Sequence, residues 1–402
     1  MKKLLLFLLI VGILLTTFAC NNGGTGDNVG KTSENQTTVK KYNPDVVKIQ
    51  LCGDILLHES VTKPASLGGN KYNFKPSFEF IKKYFDGDMI IANMEAPVDA
   101  DGDNKNIAAY PLFNFPIEIL DAVKYAGFNT LITANNHAFD KHWNGLKATI
   151  DNIEAKGMDA VGTYRNAEEF NTPFIKEYNG IKIGITAWSD SDNGNGVGAE
   201  NRPHAMKMFD SKSTEDVPKI LSEVEKLKAA GAAVVIVSLH WGAEYVSKPI
   251  NDYYKQTDIA DMLIDGGADI IMGNHAHAVQ PIVKREAEQN GKKRTGIIIY
   301  SLGNFFVDQS ALDDPVQAIN TADGMIVSLS FKRNTDTGEV AFSEGNYMPT
   351  ITYKHGSPKK HIIYPLGLSS KAINTKDSEH FKKAFNRVTG VVGDDLPYIN
   401  GE

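Results

Sequence analysis

Short apolar blocks recur along this chain and most of them end in polar residues. Val46 to Leu51, Met89 to Ile91, Val234 to Val237 and Ile297 to Tyr300 are rich in β-branched and aliphatic side chains and read as strands. The third of these runs sits in a strand over Ala232 to Leu239, and further strands are expected at Asn129 to Ala134, Ile181 to Ala187 and Ala268 to Met272. Helical spacing marks the segments between them: Pro116 to Gly127, Gly145 to Gly157, Val217 to Ala230 and Tyr253 to Asp265. In the second of these, Leu146, Thr149, Ile150 and Ile153 share one face. Gly266-Gly267 supplies a stop for the last. After Asn304 the pattern changes. Met325 to Arg333 and Glu339 to Tyr347 alternate around Asn334-Thr335-Asp336-Thr337-Gly338, a hairpin, and Thr375 to Val388 predicts a charged terminal helix. The expectation is one α/β domain over 46–366, closed by late hairpins, with a helical tail over 367–402.

Six polar clusters stand where apolar runs stop. They are Gly53-Asp54, Asn93-Met94-Glu95, Asn135-Asn136-His137, His240 to Glu244, Gly273 to His277 and Ser301 to Asn304. In open α/β sheets the carboxyl ends of the strands form the rim where ligands bind. Carboxylates, carboxamides and imidazoles gathered on one rim point to a metal site of one or two ions. His275 and His277 are two apart, so an extended segment would aim both imidazoles the same way. His240 ends an almost wholly apolar run and is a further ligand candidate, with Glu244 as its orienting partner or a substrate contact. Asp54 and Glu95 suit a metal that offsets their mutual repulsion; capping of a following helix is the plainer use of Asp54. Asn136 can ligate through oxygen. His137 can protonate a leaving group, with Asp140 holding its ring, although a turn with a surface histidine fits the same residues. His58, Asn93 and Asn304 are candidates for lining the site or supporting its ligands. No nucleophile elbow, phosphate-binding Gly-Lys loop or dinucleotide fingerprint occurs.

The N-terminus changes the setting. Lys2 and Lys3 precede an apolar run from Leu4 to Leu15, and small and polar residues lead to Ala19-Cys20. This reads as a signal peptide over 1–19, with Cys20 as a lipidation site and 20–45 as a polar tether. A retained membrane anchor is the competing reading, though the run is short for a span. The expected location is extracytoplasmic, on the bacterial cell membrane. Loss of the leader takes the net charge from -7 to about -9, which argues against a nucleic-acid partner. With Cys20 lipidated, Cys52 stands alone and reads as a small buried hydrophobe.

At these residues the chain resembles the CapA/PgsA family of poly-γ-glutamate capsule proteins, related to calcineurin-like metallophosphoesterases. The resemblance spans Lys48 to Asp308, more weakly to Leu366, and is most specific in Ala134 to Asp140, His240 to Tyr245 and Tyr300 to Phe305. It implies a four-layer α/β/β/α sandwich on a membrane-anchored protein. The superfamily's ligand order falls on Asp54, Glu95 in place of a second Asp, Asn136, His240, His275 and His277, with His137 at the catalytic position. Leu56 stands where phosphoesterases carry a histidine, and Lys141-His142 where the capsule family often has Tyr-Gly. The implied cofactor is a divalent metal (Mn, Zn or Fe). The implied role is in poly-γ-glutamate synthesis or export, with synthase or export components as partners. The alternative is a cell-surface metal-dependent hydrolase acting on a phosphoester, or on an amide of an anionic polymer, through metal-activated water and His137.

Overall fold

The computed structural model describes residues 43–401 apart from 199, 290, 310–319, 357–358 and 368–377. The expected leader, Cys20 and the tether up to residue 42 lie outside the described residues.

β1 (Val46–Leu56) is followed by α1 (Glu59–Ala65) and a small ribbon of β2 (Ser66–Gly68) and β3 (Lys71–Tyr72). β4 (Met89–Met94), α2 (Glu118–Ala126), β5 (Thr130–Ile132), α3 (His142–Ala155) and β6 (Asp159–Val161) then alternate. Next come α4 (Ala167–Asn171), β7 (Phe174–Tyr178), β8 (Ile181–Ser189), β9 (Lys207–Met208) and α5 (Val217–Ala229). β10 (Val234–His240), α6 (Gln256–Asp265), β11 (Ile270–Asn274), β12 (Ile282–Gln289) and β13 (Lys292–Ile299) continue. β14 (Asn304–Val307), β15 (Asp323–Arg333), β16 (Val340–His355), β17 (Lys360–Pro365) and α7 (Ser378–Val392) end the chain.

Two sheets result. The first runs β17-β16-β15-β1-β4-β5-β6 with β14 also paired to β1; the second runs β12-β13-β11-β10-β8-β7 with β9 paired to β8. Strand periodicity of two decides what each face meets. Ile49 and Leu51 of β1 and Met89 and Ile91 of β4 share one core with Ile183 and Ile185 of β8 and Val234 and Ile236 of β10. The alternate residues face outward. Cys52, Ile90 and Ala92 pack with Ile119, Leu120 and Val123 of α2, while Val235, Val237 and Leu239 pack with Ile220, Val224 and Leu263 of α5 and α6. The layers are therefore α/β/β/α. Central strands buried on both faces read as unbroken apolar runs, which is why the sequence pattern shows them so plainly. Cys52 is fully buried, as a small hydrophobe would be.

Several boundaries move. β1 continues through Asp54 to Leu56 because its last residues pair with both β4 and β14. α3 starts at His142 rather than Gly145, and α6 at Gln256 rather than Tyr253. The hairpin's second strand extends to His355 and turns back as β17. The terminal helix runs to Val392, past the expected Val388, and residues 375–377 of that expectation lie outside the described residues.

The terminal helix is packed, not appended. Phe381, Ala384 and Phe385 meet Ile351, Ile362 and Tyr364, and Val388 and Val392 join the central core. Arg387 makes two 2.8 Å hydrogen bonds to the buried Asp323 at the start of β15. Burial pushes the Asp323 carboxyl up to about 7 against the pull of Arg387. Removing one partner of a buried pair strands the other, so Arg387→Ala is expected to cost about 3 kcal/mol in urea unfolding at neutral pH. Because the folded pKa of Asp323 lies above its unfolded value, the loss should shrink as the pH falls from 8 to 5 and the carboxyl protonates. A cost independent of pH would assign the helix's contribution to its apolar face alone.

Candidate metal centre

β1 and β4 in one sheet, and β10 and β11 in the other, bring their carboxyl ends to a common rim. The parity that buries Met89 and Ile91 aims Asn93 at the opposite sheet, and that of Val234 and Ile236 does the same for His240. In β1 the pairing register slips between Leu51 and Asp54, an irregularity of the kind that re-aims side chains beside functional sites. Asp54 is thus inside a strand, not beyond it, and α1 is capped at His58 without any side-chain bond, so helix capping is not what Asp54 does.

Glycines let the rim close. A Cβ on Gly53 would lie 1.8 Å from the Gly303 carbonyl oxygen, and one on Gly273 would lie 1.9 Å from that of Tyr300. Only bare backbone fits there. The 301–304 segment can then cross from β13 to β14, with Asp54 N donating to Gly303 O and Leu302 N to Gly273 O.

Asp54 and Glu95 are both fully buried. Asp54 accepts from Asn93 Nδ2 at 2.8 Å. Glu95 makes no hydrogen bond through either carboxylate oxygen, although His240 Nε2 stands 3.3 Å and His277 Nε2 3.7 Å from its Oε1. One donor atom each from Glu95, His240 and His275 lies within 4.8 Å of the others, and the same holds for Asp54, Glu95 and His277. Glu95 belongs to both groups, as a residue bridging two cations would. Asn136 Oδ1 lies 2.9 Å from His240 Nε2. All six expected ligands are therefore brought together.

Electrostatics agree with the geometry. Burial, reinforced by Asp54, lifts the Glu95 carboxyl well above the usual carboxylate range. Burial and the neighbouring His275 and His277 hold His240 well below the ordinary imidazole value, and burial lowers His275. Neutral imidazole is the form that ligates. Burial alone would lower His277 too, yet Glu95 and Asp54 raise it to about 10. In the protein alone a proton on His277 stands in for a cation.

His275 and His277 are not on extended backbone; their φ angles are +88° and +51°, in the left-handed region. Their convergence is imposed by the turn after β11, a strained conformation of the kind that collects at functional sites. Glu244 does not orient His240, whose contacts are with Asn93, Asn136 and Glu95. It instead borders a cavity of about 660 Å³ in front of the cluster. His137, His58 and His277 also line that cavity. His137 Nδ1 is 2.8 Å from Asp140 Oδ2, which also accepts from Phe113 N. Asn304 Oδ1 meets His277 Nδ1 at 3.0 Å, leaving Nε2 turned to Glu95. Burial lowers His58 to about 4.

Asp190 lies outside the clusters that the sequence marks, while Asn274 lies inside the Gly273–His277 cluster without a role of its own there. Asn274 ends β11 with both polar side-chain atoms buried and unpaired. Asp190 directly follows β8 and accepts from Ser211 Oγ at 2.6 Å and Gly242 N at 3.0 Å, bracing the loop after His240. The strand-end rule applied to β8 and β11 finds both. Tyr110, which also lines the cavity, carries no such signal.

A family model described as "Bacterial capsule synthesis protein PGA_cap" matches residues 48–309. The chain belongs to this family. Among the chain's relatives, "Capsule biosynthesis protein CapA" of Bacillus anthracis is 29% identical over 67% of the chain and 62% of its own length. "PGA biosynthesis protein CapA" of Bacillus subtilis (strain 168) is 29% identical over 74% and 70%. A solved calcineurin-like phosphoesterase, YfkN from Bacillus subtilis, covers 86% of the chain and 96% of its own at 14% identity and a TM-score of 0.42. The matched segment of this family member holds every expected ligand, while the β15–β16 hairpin and α7 lie beyond it.

The donor set fits a divalent cation: buried carboxylate oxygens on Glu95, a buried unpaired Nδ1 on His275 and the carboxamide of Asn274 all lack partners. Metal analysis of the folded chain is expected to find about one to two divalent ions, and close to none in an Asp54→Ala/His275→Ala variant. A cation must displace the proton that Glu95 and Asp54 hold on His277, and that competition strengthens with acidity, so occupancy should fall as the pH drops from 7 to 5. An equal metal content in the two proteins would remove this cluster as the site.

Proposed function

We propose that the chain acts at the outer face of a bacterial cell membrane, tethered through Cys20, in the synthesis or export of poly-γ-glutamate. The family match over 48–309 carries this reading, and the two CapA relatives bear names of that process. The leader pattern and Cys20 support the location. Asp54, Glu95, Asn136, His240, His275 and His277 would hold one or two divalent ions, of Mn, Zn or Fe type. Their place beside the cavity supports a metal-dependent contact with an anionic chain passing there.

A second reading, metal-dependent hydrolysis, is favoured by the His137–Asp140 pair. Asp140 Oδ2 accepts a hydrogen bond from His137 Nδ1, which leaves Nε2 as the atom that exchanges a proton with a leaving group. Phe113 N, donating to the same carboxylate, keeps Asp140 in place. A bound divalent ion would polarise a carbonyl or phosphoryl oxygen there. His137 would then protonate the departing atom.

A strain lacking the gene, complemented with variants, separates the two. Wild type is expected to restore surface poly-γ-glutamate and Asp54→Ala/His275→Ala to fail. His137→Ala, with its metal content intact, is expected to restore the polymer. If it instead fails, and hydrolysis of a γ-linked or phosphoester substrate drops by roughly 10²–10⁴, the hydrolase reading replaces the accessory one. Full restoration by the double variant would separate the capsule role from the metal cluster.

A further inference from the structure

The cavity over the metal cluster does not end there. A second space of about 860 Å³ lies over α1, lined by Glu59, Thr62, Lys63, Ser66 and Tyr72. His58, Tyr110 and Asp308 border both spaces. The two form one groove. Pockets of roughly 300–1,000 Å³ suffice for a compact small molecule, so the first space alone would serve one and the second would be superfluous.

Tyr110 stands at the junction with 74% of its surface exposed. Its ring rests edge-on against Phe113 at 6.4 Å, and Phe113 in turn meets His137 at 4.8 Å and His58 at 5.3 Å. A large aromatic held by other rings and left open on one side is a platform for a chain crossing it.

On the far wall, Asn193 and Asn195 face the first space. Their loop is built rather than slack. Asp192 Oδ1 accepts from Gly194 N at 2.9 Å and Oδ2 from Val197 N at 2.8 Å. A Cβ on Gly196 would come within 2.2 Å of the Phe139 ring, so the loop is seated directly on the segment that carries His137 and Asp140. The backbone bonds of the loop leave both carboxamides for a ligand. A carboxamide offers a donor and an acceptor together, the complement of an amide group. A phosphate dianion calls for Arg or Lys, and among the described residues none lines the first space.

We infer that this groove binds an extended amide-linked chain of several units, its amide groups read by Asn193 and Asn195 and its length by Tyr110. The inference rests on the poly-γ-glutamate reading of the same site and adds which part of the polymer is recognised.

The test is calorimetric titration of the manganese-loaded protein with γ-linked glutamyl chains of one, two, four and eight units. Affinity is expected to rise about tenfold or more between two and eight units, the scale of one aromatic contact with its flanking hydrogen bonds. Tyr110→Ala should abolish that gain, and Asn193→Ala/Asn195→Ala should weaken every chain of two units or longer; metal content reports that each variant is folded. Equal affinity at all lengths, or a length gain that survives Tyr110→Ala, overturns the extended groove and leaves the polymer reading standing. Binding of no chain by the metal-loaded protein overturns both.

Discussion

Two carboxylates buried side by side are the constraint around which this fold is arranged. An unpaired ion taken out of water costs several kcal/mol, and two of like charge cost more. Asp54 relieves part of that through Asn93, but among the described residues Glu95 has no hydrogen-bonding partner on either oxygen. The relief comes from opposite charge, carried by a proton on His277 in the protein alone or by a cation held among the histidines. Desolvation keeps His240 and His275 neutral, ready to share such a cation. A cluster like this is expensive as packing and sensible as a metal centre.

Holding it requires two sheets to meet at one edge. The chain achieves this with the 301–304 segment, which leaves the second sheet after β13 and joins the first as β14, parallel to β1. Gly53 and Gly273 are the points where this crossing touches backbone on either side. Thus the same few residues that join the sheets also set Asp54 against His275 and His277. Asn304, the first residue of β14, then fixes the His277 ring. Fold closure and site geometry are one event here, and the left-handed turns at His275 and His277 are its local cost.

Around that centre the protein divides its labour by rigidity. Ligands sit on strand ends and on turns pinned between strands. The His137–Asp140 pair is locked by the Phe113 amide, and the Asp192 loop is seated on Phe139. The groove's outer border is made of side chains with free surface, Tyr110 foremost. Geometry is over-determined around the candidate ligands and looser along the border of the groove.

The amino-acid sequence by itself marked the central strands β1, β4, β5, β8, β10, β11 and β13 and the helices α2, α3, α5 and α6, because strands buried on two faces must be apolar at every position and helices on one stripe only; the short edge strands and α1 carry no such pattern. It also marked the polar residues at strand ends, and so the six candidate ligands, His137 and Asp140. Tertiary structure decided what periodicity cannot express. It set β1 running through Asp54, since a strand ends where its partners end. It turned His275 and His277 together by left-handed backbone rather than extended alternation. Of the two uses open to Glu244 it chose the cavity over His240, and it brought Asp190 and Tyr110 into the neighbourhood of the site. Those placements depend on contacts between residues far apart in the chain. Local pattern records the chemistry a residue carries, whereas its neighbours are settled only when two sheets close on each other.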